Sequence, residues 1–91
     1  MNPSIQHSPQ VSEFQTADDA GRGVLRYRLA GDVMNIVHTE VAPELRGHGI
    51  AGALMQAALT HARAQALKVR PLCSYASAYM RRHPETQDLL A

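Results

Sequence analysis

A helix opened by glycines constrains this chain more than any other feature. Arg46-Gly47-His48-Gly49-Ile50-Ala51-Gly52 runs directly into an alanine-rich stretch with helical spacing. The start of a helix leaves several backbone N–H groups without partners and carries the positive end of the macrodipole. Glycine there removes the side chain that would hold an anion away, and Arg46 adds a permanent positive charge. The segment reads as an anion cradle, suited to the pyrophosphate of a nucleotide-containing cofactor.

Gly47, Gly49 and Gly52 also satisfy the G-x-G-x-x-G dinucleotide fingerprint. That fingerprint needs a strand leading into the glycines and an acidic residue about 20 positions onward for the ribose. Here the approach is the proline loop Ala42-Pro43-Glu44-Leu45, and the next strand ends at Leu72-Cys73 with no acid. A phosphate loop of the Walker type fails as well, because no Gly-Lys-Ser/Thr follows.

The 91 residues are enough for one modest core, and 45% apolar with 19% charged residues is an ordinary globular balance. A net charge of +1 argues against nucleic acid as the main partner, since a phosphate backbone calls for a basic stripe. No apolar run reaches membrane-spanning length, and Met1 to Gln10 lacks the hydrophobic region of a signal peptide. A single cysteine makes no internal disulfide. The expectation is a cytoplasmic protein with neither membrane nor nucleic-acid partner.

Residues 1–10, polar and carrying Pro3 and Pro9, read as a flexible tail ahead of one domain at 11–91. Val11-Ser12-Glu13-Phe14 alternates like a short strand, and Asp18-Asp19-Ala20-Gly21 is turn chemistry. Val24 to Leu29 alternates apolar and basic residues, Ala30-Gly31-Asp32 turns, and Val33 to Val41 reads as the third strand of an antiparallel meander. The period then changes. Ile50, Ala51, Leu54, Met55, Ala58, Leu59, Ala62 and Ala66 share one face of a helix expected from about Gly49 to Gln65. Gly52 inside it costs ~1 kcal/mol relative to alanine, which suggests close approach of a ligand or a neighbouring strand, with a bland packing contact as the alternative. Lys68 to Cys73 is a further short strand. Ser74 is placed to cap a second helix with Ala76, Tyr79, Met80 and His83 on one face, ended by Pro84 and followed by a last turn or two to Leu90.

Three antiparallel strands, a glycine-opened helix, a strand and a further helix resemble the core of the GNAT N-acetyltransferase superfamily. Arg46-Gly47-His48-Gly49-Ile50-Ala51 matches its acetyl-CoA signature of Gln or Arg, two residues, Gly, one residue, then Gly or Ala. His38-Thr39-Glu40-Val41, Pro71-Leu72-Cys73-Ser74-Tyr75 and Arg82-His83-Pro84-Glu85 look like the minimal single-domain members of that superfamily, over roughly residues 24–90. The resemblance implies an α/β (α+β) fold: a mixed, mostly antiparallel sheet on a long central helix, with one or two short C-terminal helices. It implies that acetyl-CoA is the acyl donor, that Val41 lines the pantetheine arm with its backbone, and that Gly47 to Gly52 offer amides to the pyrophosphate. The strands holding Val41 and Leu72 should splay to admit the thioester. The helical region that walls the acceptor pocket in larger members is missing, so a second copy of the chain is a possible source of that wall.

Candidate chemistry gathers near the expected slot. Cys73 sits at a helix start, where a thiol tends toward the nucleophilic thiolate and can carry an acyl group; a small buried apolar role is the bland alternative. His38 is a candidate base with Glu40 to orient it or attract an amine, against a plain His–carboxylate pair on a half-wet strand. The resemblance implies a tyrosine that protonates the departing CoA thiolate, and Tyr75 suits this better than Tyr79, which shares the apolar face with Met80. His7, His61 and His83 have no metal-ligand spacing, so no metal is expected. The sequence thus points to acetyl transfer from acetyl-CoA to an amine, on a small molecule or a protein. An acyl-CoA-binding or sensing module with little catalysis stands as the alternative, and an interaction domain whose glycine loop merely packs stands behind it.

Overall fold

A computed structural model of the chain describes residues 4–17, 23–47 and 49–91. The expected turn at Asp18 to Gly21 and the loop residue His48 lie outside the described residues. Five strands form one sheet in the order of the chain: β1 (Ile5–Ser8), β2 (Glu13–Thr16), β3 (Gly23–Ala30), β4 (Val33–Val41) and β5 (Lys68–Pro71). The first four pair antiparallel and β4 pairs β5 parallel, with helix α1 (Ile50–Ala64) as the crossover. Helix α2 (Ser74–Arg82) and a 3-10 segment at Pro84–Leu89 complete the fold. No helix among the described residues is long and apolar enough to cross a membrane.

The tail expected at residues 1–10 is not loose from Ile5 onward. Ile5–Ser8 is an edge strand paired with β2, and Pro9 belongs to the tight 3-10 link between them rather than to a free end. His7 holds the strand down. Its ring stacks on Phe14 at 4.1 Å, its Nε2 lies 2.6 Å from the Tyr27 hydroxyl, and the His61 ring of α1 meets it edge-on at 4.5 Å. A terminus is ordered when the sheet and core bind it this way.

One face of the sheet carries the core. Phe14, Leu25, Tyr27, Met34, Ile36 and Val69 meet Leu54, Met55, Ala58, Leu59 and Ala62 of α1, with Ala76 and Met80 of α2 beside them. The helix face read from the spacing is therefore the buried one, except that Ala66 lies past its end with φ of 57°. Opposite β3, strand β4 carries one extra residue. Arg26 pairs His38 and Tyr27 pairs Ile36, so Val37 has no counterpart. This bulge reverses the alternation beyond it. Thr39 and Val41, across from Leu25 and Gly23, turn toward the helices, while His38 and Glu40 turn to the outer face. With simple alternation those two pairs would change places.

Candidate functional site

The parallel pair β4·β5 ends early. Its register runs from Val33↔Lys68 to Ile36↔Pro71, after which the amides of Leu72 and Cys73 both donate to the Ile36 carbonyl, at 2.9 and 3.2 Å. The chain then turns into α2, whereas β4 continues to Val41. Beyond Ile36 the two strands have no register between them, which is the parting expected between the Val41 and Leu72 strands.

The start of α1 stands over this end of β4. A cleft of about 240 Å³ is lined by Val41, Leu45, Arg46, Gly47, Gly49, Ile50, Ala51, Gly52 and Tyr75. The N-cap is Gly49 with φ of 73°, it offers no side-chain cap, and the first helical amide bond runs from Ala53 to the Gly49 carbonyl at 3.0 Å. The amides of Ile50, Ala51 and Gly52 precede that bond, so they form the open N-terminal turn of the helix. Gly47 and Gly49 both need positive φ, and a Cβ on either would meet nothing within 4 Å. Their role in the fold is conformational, with open space in front of them. The Arg46 side chain folds along the same wall, its Nε donating to the Val41 carbonyl at 3.3 Å.

Gly52 departs from the crowding its sequence context suggested. A Cβ there would lie 3.9 Å from the Tyr75 hydroxyl and 4.0 Å from Tyr79, ordinary contact with neither helix forced apart. The glycine that crowding does require is one the sequence reading passed over. At Gly23 a Cβ would fall 2.8 Å from Ile50 Cγ2 and 2.9 Å from Thr16 Cγ2. Gly23 thus lets β3 pass close beneath the first residue of α1 and seats the helix start over Val41, its partner in register. No local sequence signal marks it, because Ile50 is distant in the chain and meets Gly23 only through the tertiary fold.

The other candidate residues divide between the two sides of the sheet. Tyr75 lines the cleft, and burial pushes its phenol pKa up, with Tyr79 adding to the shift and Arg82 opposing it. Cys73 rather than Ser74 is the N-cap of α2: its Sγ accepts from the Ala76 amide at 3.4 Å and lies 3.6 Å from Thr39 Oγ1. A β-conformation at Cys73 leaves its side chain, not that of Ser74, facing back over the first turn. His38 and Glu40 do come together, Nε2 to Oε1 at 3.0 Å, but on the exposed outer face, across the sheet from the glycine cleft. No group of three or more metal-ligating side chains occurs among the described residues.

A mixed sheet parting where β4 and β5 run parallel, with the bare amides of a glycine-opened helix across the gap, defines a domain of the GNAT type. The chain belongs to the GCN5-related N-acetyl-transferase family, whose profile matches residues 13–89. Among its relatives are proteins named NATD1. The mouse protein is 33% identical over 93% of this chain and 80% of its own length, and the Xenopus tropicalis protein 36% identical over 98% and 88%. The solution structure of a GCN5-like protein from Staphylococcus aureus superposes with a TM-score of 0.79 at 30% identity, covering 99% of this chain and 89% of that one. Membership supports acyl transfer as the general class of chemistry.

Proposed function

We propose that this protein transfers the acetyl group of acetyl-CoA to an amine. The observation that carries this is the open first turn of α1, lining a cleft that continues along Val41 to Tyr75. The residues fit such a donor: Gly47, Gly49, Ile50, Ala51 and Gly52 would offer main-chain amides to its diphosphate, and Arg46 a matching charge. Val41 and the edge of β4 left open on the β5 side beyond Ile36 would hold the amide-rich arm as an added strand is held. Acetyl-CoA supplies an activated thioester. Holding it against the amine provides most of the acceleration, and a backbone N–H beside Val41 would stabilise charge growing on the carbonyl oxygen.

His38, oriented by Glu40, would take the proton of the attacking amine from the outer face, and Tyr75 would donate to the departing sulfur. A phenol kept protonated by burial is suited to that donation. Cys73 offers a second route. Its thiolate would attack the thioester carbonyl and release CoA, which takes a proton from Tyr75; the amine would then displace Cys73 Sγ and pass its own proton to His38. Incubation with acetyl-CoA followed by intact mass measurement separates the two, since a 42 Da adduct lost in Cys73→Ala supports the covalent route. The release of CoA thiol with a panel of amines and peptides tests transfer itself. Binding of CoA without thiol release for any acceptor would favour the alternative, an acyl-CoA-binding or sensing module. The open surroundings of His38 and Glu40, whose side chains are 48% and 72% exposed, are the observation on that side.

A further inference from the structure

The outer face of the sheet holds a row of side chains outside the proposed chemistry. Arg28, Asn35 and Arg70 stand directly across from one another on β3, β4 and β5. Asn35 is only 9% exposed and is fixed at both ends: its Nδ2 donates to the Arg28 carbonyl at 3.4 Å, and its Oδ1 accepts from Arg70 Nη1 at 3.1 Å. Both arginines are exposed, and among the described residues neither has a carboxylate within ion-pair distance. Two neighbouring cations among the described residues are already engaged. Arg26 pairs with Glu13 at 2.9 Å, and Lys68 Nζ donates to the Asp88 carbonyl at 2.8 Å. Strand spacing puts the backbones of Arg28 and Arg70 about 10 Å apart, with the anchored amide between them.

Two guanidiniums held two strands apart on a rigid sheet, neither paired with a carboxylate among the described residues, form a fork for carboxylates. Along β4 the fork lies three residues from His38, about 10 Å at the rise of a strand, and the His38–Glu40 pair faces the same side. One face therefore presents an amine-attracting carboxylate and base near the parting of the strands, and a carboxylate-attracting fork further along. We propose that this outer face is the acceptor site and that the acceptor is an acidic peptide, its reactive amine over His38 and acidic side chains about three residues onward, at Arg28 and Arg70. The spacing matches an extended chain, which advances about 3.3 Å per residue. This assignment rests on the acyl-transfer function proposed above, but the charge row stands without it.

The test uses a peptide with a free amino terminus, glutamates at its fourth and sixth positions, which share one side of an extended chain, and a C-terminal fluorophore, against the same peptide carrying glutamines. Fluorescence anisotropy measures binding to the full chain saturated with CoA, and to Arg28→Glu and Arg70→Gln variants. The glutamate peptide is expected to bind at least about tenfold more tightly than the glutamine peptide, and raised salt should narrow the gap. Arg28→Glu should abolish the preference, and Arg70→Gln should reduce it. CoA affinity, measured by calorimetry on each variant, should be unchanged, which also shows that the variants are folded. Equal binding of the two peptides, or a preference that survives Arg28→Glu, overturns the assignment. Preferential binding without any CoA thiol release would keep the acidic-peptide site and instead overturn the proposed acyl transfer.

Discussion

Replacing Gly52 by alanine separates the demands of the fold from those of a ligand. Gly52 is the third residue of α1, where glycine costs the folded chain about 0.5–1 kcal/mol relative to alanine. The new methyl would touch the Tyr75 hydroxyl at 3.9 Å and Tyr79 at 4.0 Å, distances of ordinary contact, so no packing penalty offsets that gain. For a domain of this size, such a gain raises the melting temperature by about 2–8 °C. The same methyl projects into the cleft that Gly52 and Tyr75 line, where the proposed diphosphate lies against the helix start. Crowding a phosphate there should weaken CoA binding about tenfold, or ~1.4 kcal/mol. Thermal melting followed by circular dichroism gives the first quantity, and titration calorimetry with CoA gives the second. A variant that is more stable and binds CoA poorly is the expected result. Unchanged CoA affinity would refute the placement of the diphosphate, and a lowered melting temperature would refute the packing at Gly52.

Gly23→Ala should behave in the opposite sense, because its Cβ falls within 3 Å of Ile50 and Thr16; overpacking of this kind costs about 1–3 kcal/mol, read as a lower denaturation midpoint in urea. Tyr75→Phe should lower the rate of CoA thiol release by about tenfold or more while leaving CoA affinity within about twofold, since the role proposed for the hydroxyl is donation to the leaving sulfur rather than binding. In the wild type any alkaline limb set by this group should lie above the ordinary phenol range, as burial raises its pKa. His7 gives a pH dependence with a definite sign. Burial, and secondly the neighbouring His61, lower its pKa in the folded state, so the unfolded chain binds the proton more readily. Its contribution is complete above the unfolded value near 6.5 and is lost as pH falls through the lower, folded value. Melting temperature should fall on acidification from neutrality, and His7→Phe, which keeps the ring on Phe14, should flatten that slope.

Much of the fold was legible in local spacing. The alternation of Val24 to Leu29, the helical recurrence from Ile50 to Ala62 and the stop at Pro84 each describe how a short segment buries one side, and each element appears where its pattern lies. The glycine-opened start of α1 was legible for the same reason, since positive φ at Gly47 and Gly49 is a property of those residues themselves. Ile5–Ser8 was hidden by its flanking prolines, because the contacts that order it come from Phe14, Tyr27 and His61. Cys73 displaced Ser74 as the cap because the direction of the chain leaving β5, rather than the chemistry of a hydroxyl, selects which side chain overhangs the turn.

By itself, the order of residues determined the kinds of element, the apolar side of α1 and a run of amides with nothing to cap them, all consequences of interactions within a few positions. Tertiary structure decided which way the candidate site side chains point. The unmatched residue Val37 exists only relative to Arg26 and Tyr27 on another strand, yet it turns Thr39 and Val41 inward and His38 and Glu40 outward. The Arg28–Asn35–Arg70 row likewise arises only when Arg70, 35 residues after Asn35, pairs with it in parallel register, since Cβ direction across a sheet is set by pairing and not by sequence distance.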